Sequence, residues 1–226
     1  MLHRLWLIVC LLAAAPALAQ EPAFAIAAEG RQLNMELAGH RVTVPGPIWK
    51  VSADGAAPQS AYVFNRLEPG VEAVTFRPDT ETVITWTQIM GVIVVNRTGY
   101  TIARQVEDIA EPMRTSCTHN QFGISTVPAI AAGSPEALVM VCGRYLPTAQ
   151  GKPRNCVGGL VVAVLQQGPQ GALRVFREFC TAGFDFRSTD NWPVTPLQLV
   201  AYADELQRGA RFAPIPASPP AASTAN

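Results

Sequence analysis

Lysine is almost missing from this chain. Lys50 and Lys152 are the only two in 226 residues, and the other basic groups are arginines scattered singly. Lys and Arg together number 17, against 17 Asp and Glu. Nucleic-acid binding needs clustered basic charge that displaces counterions, and a polybasic membrane patch needs the same clustering. No such cluster exists, so no nucleic-acid partner is expected. Histidine is nearly as scarce: His3, His40 and His119 are all there are. Gly-x-Ser-x-Gly, Ser-x-x-Lys and His-Glu-x-x-His are absent, which removes the common signatures of hydrolases and zinc peptidases. No repeat of solenoid or propeller length is present.

Apolar runs fall short of a membrane span as well. The longest opens the chain: "LWLIVCLLAAA" (5–15) is 11 residues and stops at Pro16, where a span needs about 20. His3 and Arg4 precede it, and "ALA" at 17–19 puts small residues at −3 and −1 of a cut between Ala19 and Gln20. That order is the pattern of a cleaved secretory signal. Cys10 lies inside the apolar stretch after Val9, an unsuitable place for lipid attachment. The expectation is export to the periplasm or beyond, with no integral membrane segment after residues 1–19 are removed.

Four cysteines then remain, Cys117, Cys142, Cys156 and Cys180. An even count in an exported chain favours two disulfides. Cys-x-x-Cys is absent, and apart from Cys117 and His119 no two potential ligands from this set lie close in sequence, so a zinc site is not expected. Four cysteines allow three pairings. A bond between directly paired neighbouring strands is geometrically unfavourable, so Cys117–Cys142 with Cys156–Cys180 is preferred. His119 is then a surface loop residue.

The rest of the chain is punctuated like a β-rich protein. Leu33, Met35 and Leu37 alternate with polar residues ahead of Gly39 and Val42–Val44, a hairpin pattern. "PIWKVS", "AYVFNRLE" and "VEAVTFRP" read as short strands. Residues 81–99 read as the strongest strand, with Gly91 marking a bulge or bend. Residues 136–146, 156–167 and 171–179 read as a meander with a tight turn at "GPQG". Two helices interrupt the strands. The first carries Ile102, Val106, Ile109 and Met113 on one face, and Pro112 should end or kink it. The second opens with Thr195-Pro196-Leu197-Gln198, a capping box with proline at the first helical position. Leu199, Tyr202 and Leu206 line it, and Gly209 stands where a C-terminal glycine belongs.

Strands and helices outside βαβ alternation mean α+β, a largely antiparallel twisted sheet carrying two helices. The expected organisation is a signal peptide over 1–19, a loose segment over 20–30, one domain over 31–208, and a disordered Pro/Ala-rich tail over 209–226. The run "TWTQIM" (85–90), a helix ending just before Cys117, and "EALVMVCG" with the next cysteine resemble uncharacterised secreted bacterial proteins of PsbP/Mog1-like architecture. The resemblance covers about residues 81–180 and departs after Cys156. It implies a compact α+β sheet domain and no site residues.

No catalytic residue, cofactor or metal ligand is therefore assigned. The loop "FDFRSTDNWP" (184–193) reads first as rings packed over a core, and its candidate binding residues are Phe184, Phe186, Arg187 and Trp192. The expected function is a non-enzymatic accessory or binding module whose partner is an unidentified protein or small ligand. The alternative is a hydrolase-like enzyme with His40 or His119 as base.

Overall fold

The computed structural model describes residues 24–26, 32–47, 49, 60–132, 134–149, 152 and 156–216. Residues 1–19 with the Ala19/Gln20 cleavage site, most of "PIWKVS" and the last ten residues of the tail lie outside them. Strands β1 (Phe24–Ile26), β2 (Gln32–Leu37) and β3 (His40–Pro45) begin one sheet. A second is built from β4 (Ser60–Glu68), β5 (Val71–Pro78), β6 (Gln88–Val95), β7 (Phe122–Val127), β8 (Ala137–Cys142), β9 (Gly158–Gly168) and β10 (Gly171–Thr181). Helix α1 (Ile102–Ser116) joins β6 to β7, and α2 (Pro196–Gly209) precedes β11 (Arg211–Pro214). The larger sheet runs β4-β5-β6-β10-β9-β8-β7, the smaller β1-β2-β3-β11, and every pairing is antiparallel. Among the described residues this is the α+β class with two α-helices.

β8 is buried along its whole length and β9 over Gly158–Leu165, because both faces of the large sheet are covered there. Val139, Val141, Leu160, Val162 and Val164 point into one apolar layer with Leu199, Ala203 and Leu206 of α2 and with Met35 and Val42 of the small sheet. Met140, Cys142, Val161, Ala163 and Leu165 point the other way, against Met113 of α1. The two helices therefore sit on opposite faces. A strand buried on both sides carries an unbroken apolar run instead of an alternating one, as "ALVMVC" does.

Several local expectations are corrected. The strand expected over 81–99 is confined to Gln88–Val95. Ahead of it, Thr82 and Thr85 share a hydroxyl hydrogen bond of 2.7 Å, the Thr87 N–H donates to the Glu81 carboxylate at 2.9 Å, and Arg77 donates to the Glu81 carbonyl at 2.8 Å. Such local bonds compete with a sheet ladder, and they fold residues 79–87 into a tight loop. Gly91 is no bulge. It pairs in register with Phe176, and a Cβ there would overlap the Phe176 ring lying across it.

Pro112 does not end α1, which runs to Ser116. The final turn is held by the Thr115 hydroxyl donating to the Glu111 carbonyl at 2.8 Å and by Cys117 closing the end. Gln105 is buried in place of Ile102, which is exposed, because the Gln105 amide donates to the Gln166 carbonyl at 3.0 Å. The capping box of α2 forms in full. Gly209 is the last helical residue, not a residue past the end, and it is small because a Cβ would overlap the Pro45 ring. The segment placed in the disordered tail from residue 209 includes Arg211–Pro214, which pairs with β3; ordering there is stabilised by the Phe212 ring against His40, centroids 5.5 Å apart. Phe24–Ile26, placed in the loose segment, pairs with β2.

Candidate binding cleft

The cysteines join as Cys117–Cys142 and Cys156–Cys180, with Cα atoms 5.8 and 5.1 Å apart. The first bond fastens the C-cap of α1 to β8. The second fastens the chain entering β9 to the end of β10. All four cysteines lie in the apolar layer on the α1 face.

The two histidines are not brought together. His40 on β3 is buried, its Nδ1 3.0 Å from the Ala38 carbonyl oxygen and its ring beside Phe212. His119 is exposed in the loop after α1. Among the described residues no three His, Cys, Asp or Glu side chains are grouped to hold a metal ion, and no helix is long and apolar enough to cross a membrane.

The aromatic loop before α2 packs as a cover. Phe184, Phe186 and Trp192 are half-buried against the layer beneath α2. A Cβ at Gly123 would stand 3.2 Å from the Phe186 ring. The Arg187 guanidinium lies 5.3 Å from the Phe186 ring centroid, and its main-chain N–H donates to the Asp185 carboxylate at 3.0 Å. Those rings are committed to packing, which leaves little apolar surface for recognition.

A cleft of about 240 Å³ lies instead between α1 and the large sheet. Its formation follows from the fold: α1 packs over β7, β8 and β9, so β6 and β10 continue past the edge of the helix. Ile109, Pro112 and Met113 of α1 form one wall. Ile93, Phe176, Val161, Ala163 and Met140 form an apolar floor across four strands.

Each end of the cleft carries charge, and the two ends differ. At one, Lys152 is ion-paired with Glu178, and its ammonium lies 5.0 Å from the Tyr145 ring centroid. That end is electrically balanced. Burial, with the Glu178 carboxylate adding, holds the Tyr145 phenol above its usual range.

At the other end stand Arg174 and Asp108, with Tyr100 behind them in a neighbouring hollow. The two oxygens of Asp108 are engaged, one by Arg104 Nε at 3.0 Å and one by the Tyr100 hydroxyl. Burial and this hydrogen bond push the Tyr100 phenol up. Arg174 has no carboxylate within ion-pair distance among the described residues. Its Nη2 donates to the Gln105 carbonyl at 3.2 Å, and its Nε is shut off from solvent without a partner. Burial pulls its pKa down, opposed by Tyr100 and Asp108. A guanidinium in this position is the least compensated charge of the cleft, and burying charge without full pairing is costly.

A wider hollow of about 890 Å³ lies beside the start of α1 and β11. Its charged residues, Glu136 and Arg211, are not buried, so it lacks the buried charged group that fixes a ligand's orientation.

Sequence reading passes over Arg174, Tyr100, Lys152 and Glu178. One signal is present: "GALRVFREF" sets arginine and glutamate into a strand whose neighbours are largely apolar.

No protein-family model matches the chain, and no curated protein matches it. Similar solved structures include a single-residue mutant of protein Mog1, at 9% identity over 87% of this chain and 97% of that one. The Ran-binding protein Mog1p of Saccharomyces cerevisiae aligns at 10% identity over 86% and 95%. Both have a TM-score of 0.41. Overlays this loose carry no statement about partners or activity.

Proposed function

We propose that this chain is an exported, disulfide-braced accessory or binding protein without catalytic function, and that the cleft beneath α1 is its binding site. Export rests on the leader-like first 19 residues and on the two disulfides, which persist in oxidising compartments. The observation that carries the binding reading is the cleft itself: an apolar floor on rigid strands, closed by a helix pinned to the sheet at Cys117, with a partly compensated guanidinium in its wall. Apolar walls with few convergent polar groups are the usual composition of small-molecule sites.

The test has two parts. Intact mass of protein recovered from periplasm or medium should begin at Gln20, with no free thiol; recovery with Met1 retained would refute export. A small-fragment screen followed by methyl and aromatic side-chain NMR should place its hits at Ile93, Met113 and Met140. Hits confined to Phe186 and Trp192 would move the site to the aromatic loop.

A further inference from the structure

We infer that the cleft takes a small amphiphilic monocarboxylate, with its apolar chain along the strand floor and its carboxylate at Arg174. The inference rests on the cleft being a binding site, and three observations assign the ligand's chemistry.

The first is the sign of the charge. Lys152 and Glu178 neutralise each other at one end, and Arg104 and Tyr100 already occupy both oxygens of Asp108 at the other. What remains least compensated is the Arg174 guanidinium: no carboxylate lies at ion-pair distance among the described residues, its Nε has no partner, and its neighbours are the neutral Gln105 carbonyl and the Tyr100 hydroxyl, with Asp108 farther off. An anion at this end would set opposite charge beside a half-buried guanidinium without having to reach its closed-off Nε, whereas a cation would meet like charge. The second is the number of charges. One guanidinium with a carboxylate already close by suits a single planar anion, since guanidinium and carboxylate match in geometry and charge. A doubly charged phosphate would add repulsion from Asp108. The third is the floor. Ile93, Phe176, Val161, Ala163 and Met140 offer no hydrogen-bond donor, and Ser116 at the end of α1 is the one uncharged polar side chain lining the cleft among the described residues, so the body of the ligand should be largely hydrocarbon. Met140 and Met113 can adapt to a flexible chain.

The experiment compares octanoate, methyl octanoate, octanol and octylammonium on the wild-type protein by methyl NMR. A parallel octanoate titration uses Arg174→Gln, and Arg174→Lys tests whether the charge alone suffices. Octanoate should shift the methyls of Ile93, Met113 and Met140, and octylammonium should leave them unmoved. Methyl octanoate and octanol, and octanoate on folded Arg174→Gln, should bind roughly ten- to a hundred-fold more weakly, as loss of a charge-assisted hydrogen bond implies. Arg174→Lys should recover part of the loss. Equal binding by octanoate and octylammonium, or by octanoate and its methyl ester, would overturn the carboxylate inference while leaving the cleft as a site for apolar ligands. If none of the four shifts these methyls, the cleft reading falls with it. The wild-type comparison decides the matter even if both Arg174 variants fail to fold.

Discussion

Removing the Cys117–Cys142 bond should do two separable things. The bond spans a sequence separation of 25 residues, and the loop-entropy relation gives about 3.5 kcal/mol for a closed loop of that length. The Cys156–Cys180 bond spans 24 residues and carries the same entropic weight, about 3.5 kcal/mol. The double variants Cys117→Ala/Cys142→Ala and Cys156→Ala/Cys180→Ala should therefore lose nearly equal global stability. Each loss corresponds to roughly 7–14 °C in Tm for a chain of this size. The cavity left by two buried sulfurs adds to both variants and cancels in their comparison.

Local order should differ between them. Helix α1 reaches the core through Gln105 and Met113, with Val106 and Ile109 half-buried, and its end is fixed where Cys117 meets β8. Without that bond the last turn keeps the backbone hydrogen bonds Leu146 N–H to Ser116 and Thr118 N–H to Arg144, each 2.8 Å. Amide exchange over residues 109–118 should thus speed up well beyond the global change in the first variant only, since partly anchored elements open locally. Octanoate binding should weaken in the same variant. Urea denaturation and hydrogen exchange read both effects. A stability loss under about 1 kcal/mol would contradict the loop-entropy magnitude. Identical exchange patterns over α1 in the two variants would refute the bond's role as anchor of the cleft wall.

Two further changes have signs that the structure fixes. Tyr145 is buried with its hydroxyl unpartnered among the described residues, so Tyr145→Phe should leave stability at pH 7 unchanged or raise it by up to about 1 kcal/mol. The folded phenol is held above its ordinary value of 10.0; the unfolded chain ionises first, so stability is full below that pH and falls as pH rises above it. Alkaline denaturation should be shallower in the variant, and a loss of more than about 1 kcal/mol at pH 7 would show that the hydroxyl has a partner after all. Gly209→Ala sets helix propensity, worth up to about 1 kcal/mol in the alanine's favour, against overpacking of about 1–3 kcal/mol. The clash should prevail, because the new Cβ would meet the ring of Pro45, with Cδ at 2.7 Å, at the end of a strand held between two neighbours. A rise in Tm would refute this ordering of the two effects.

What the sequence shows of this fold is whatever its chemistry settles locally. The Thr195 capping box, the Gly39 hairpin and the class of sheet depend on residues a few positions apart, and they are where the sequence puts them. β7, β1 and β11 are different. They lie at sheet edges, where one side faces no partner strand and the residues need not be continuously apolar, so "FGISTV" and "RFAP" carry no strand pattern strong enough to read. Gly91 in a strand reads as a bulge until Phe176 is known to lie over it, and that ring comes from a strand formed 85 residues later.

Arg174 and Arg177 stand three apart on β10 and so project to opposite faces of the sheet. Under α2, Arg177 meets both oxygens of Glu205 at 3.1 Å and lies 4.9 Å from the Tyr202 ring centroid. On the α1 side, Arg174 meets a carbonyl, with the nearby carboxylate already held by Arg104 and Tyr100. In "LRVFREF" the two arginines look alike. Their difference comes from which helix lies over each face and what that helix brings: α2 brings Glu205 to Arg177, while α1 commits Asp108 elsewhere. That leaves the buried Arg177 guanidinium paired and the half-buried Arg174 guanidinium able to gain from an anion entering the cleft.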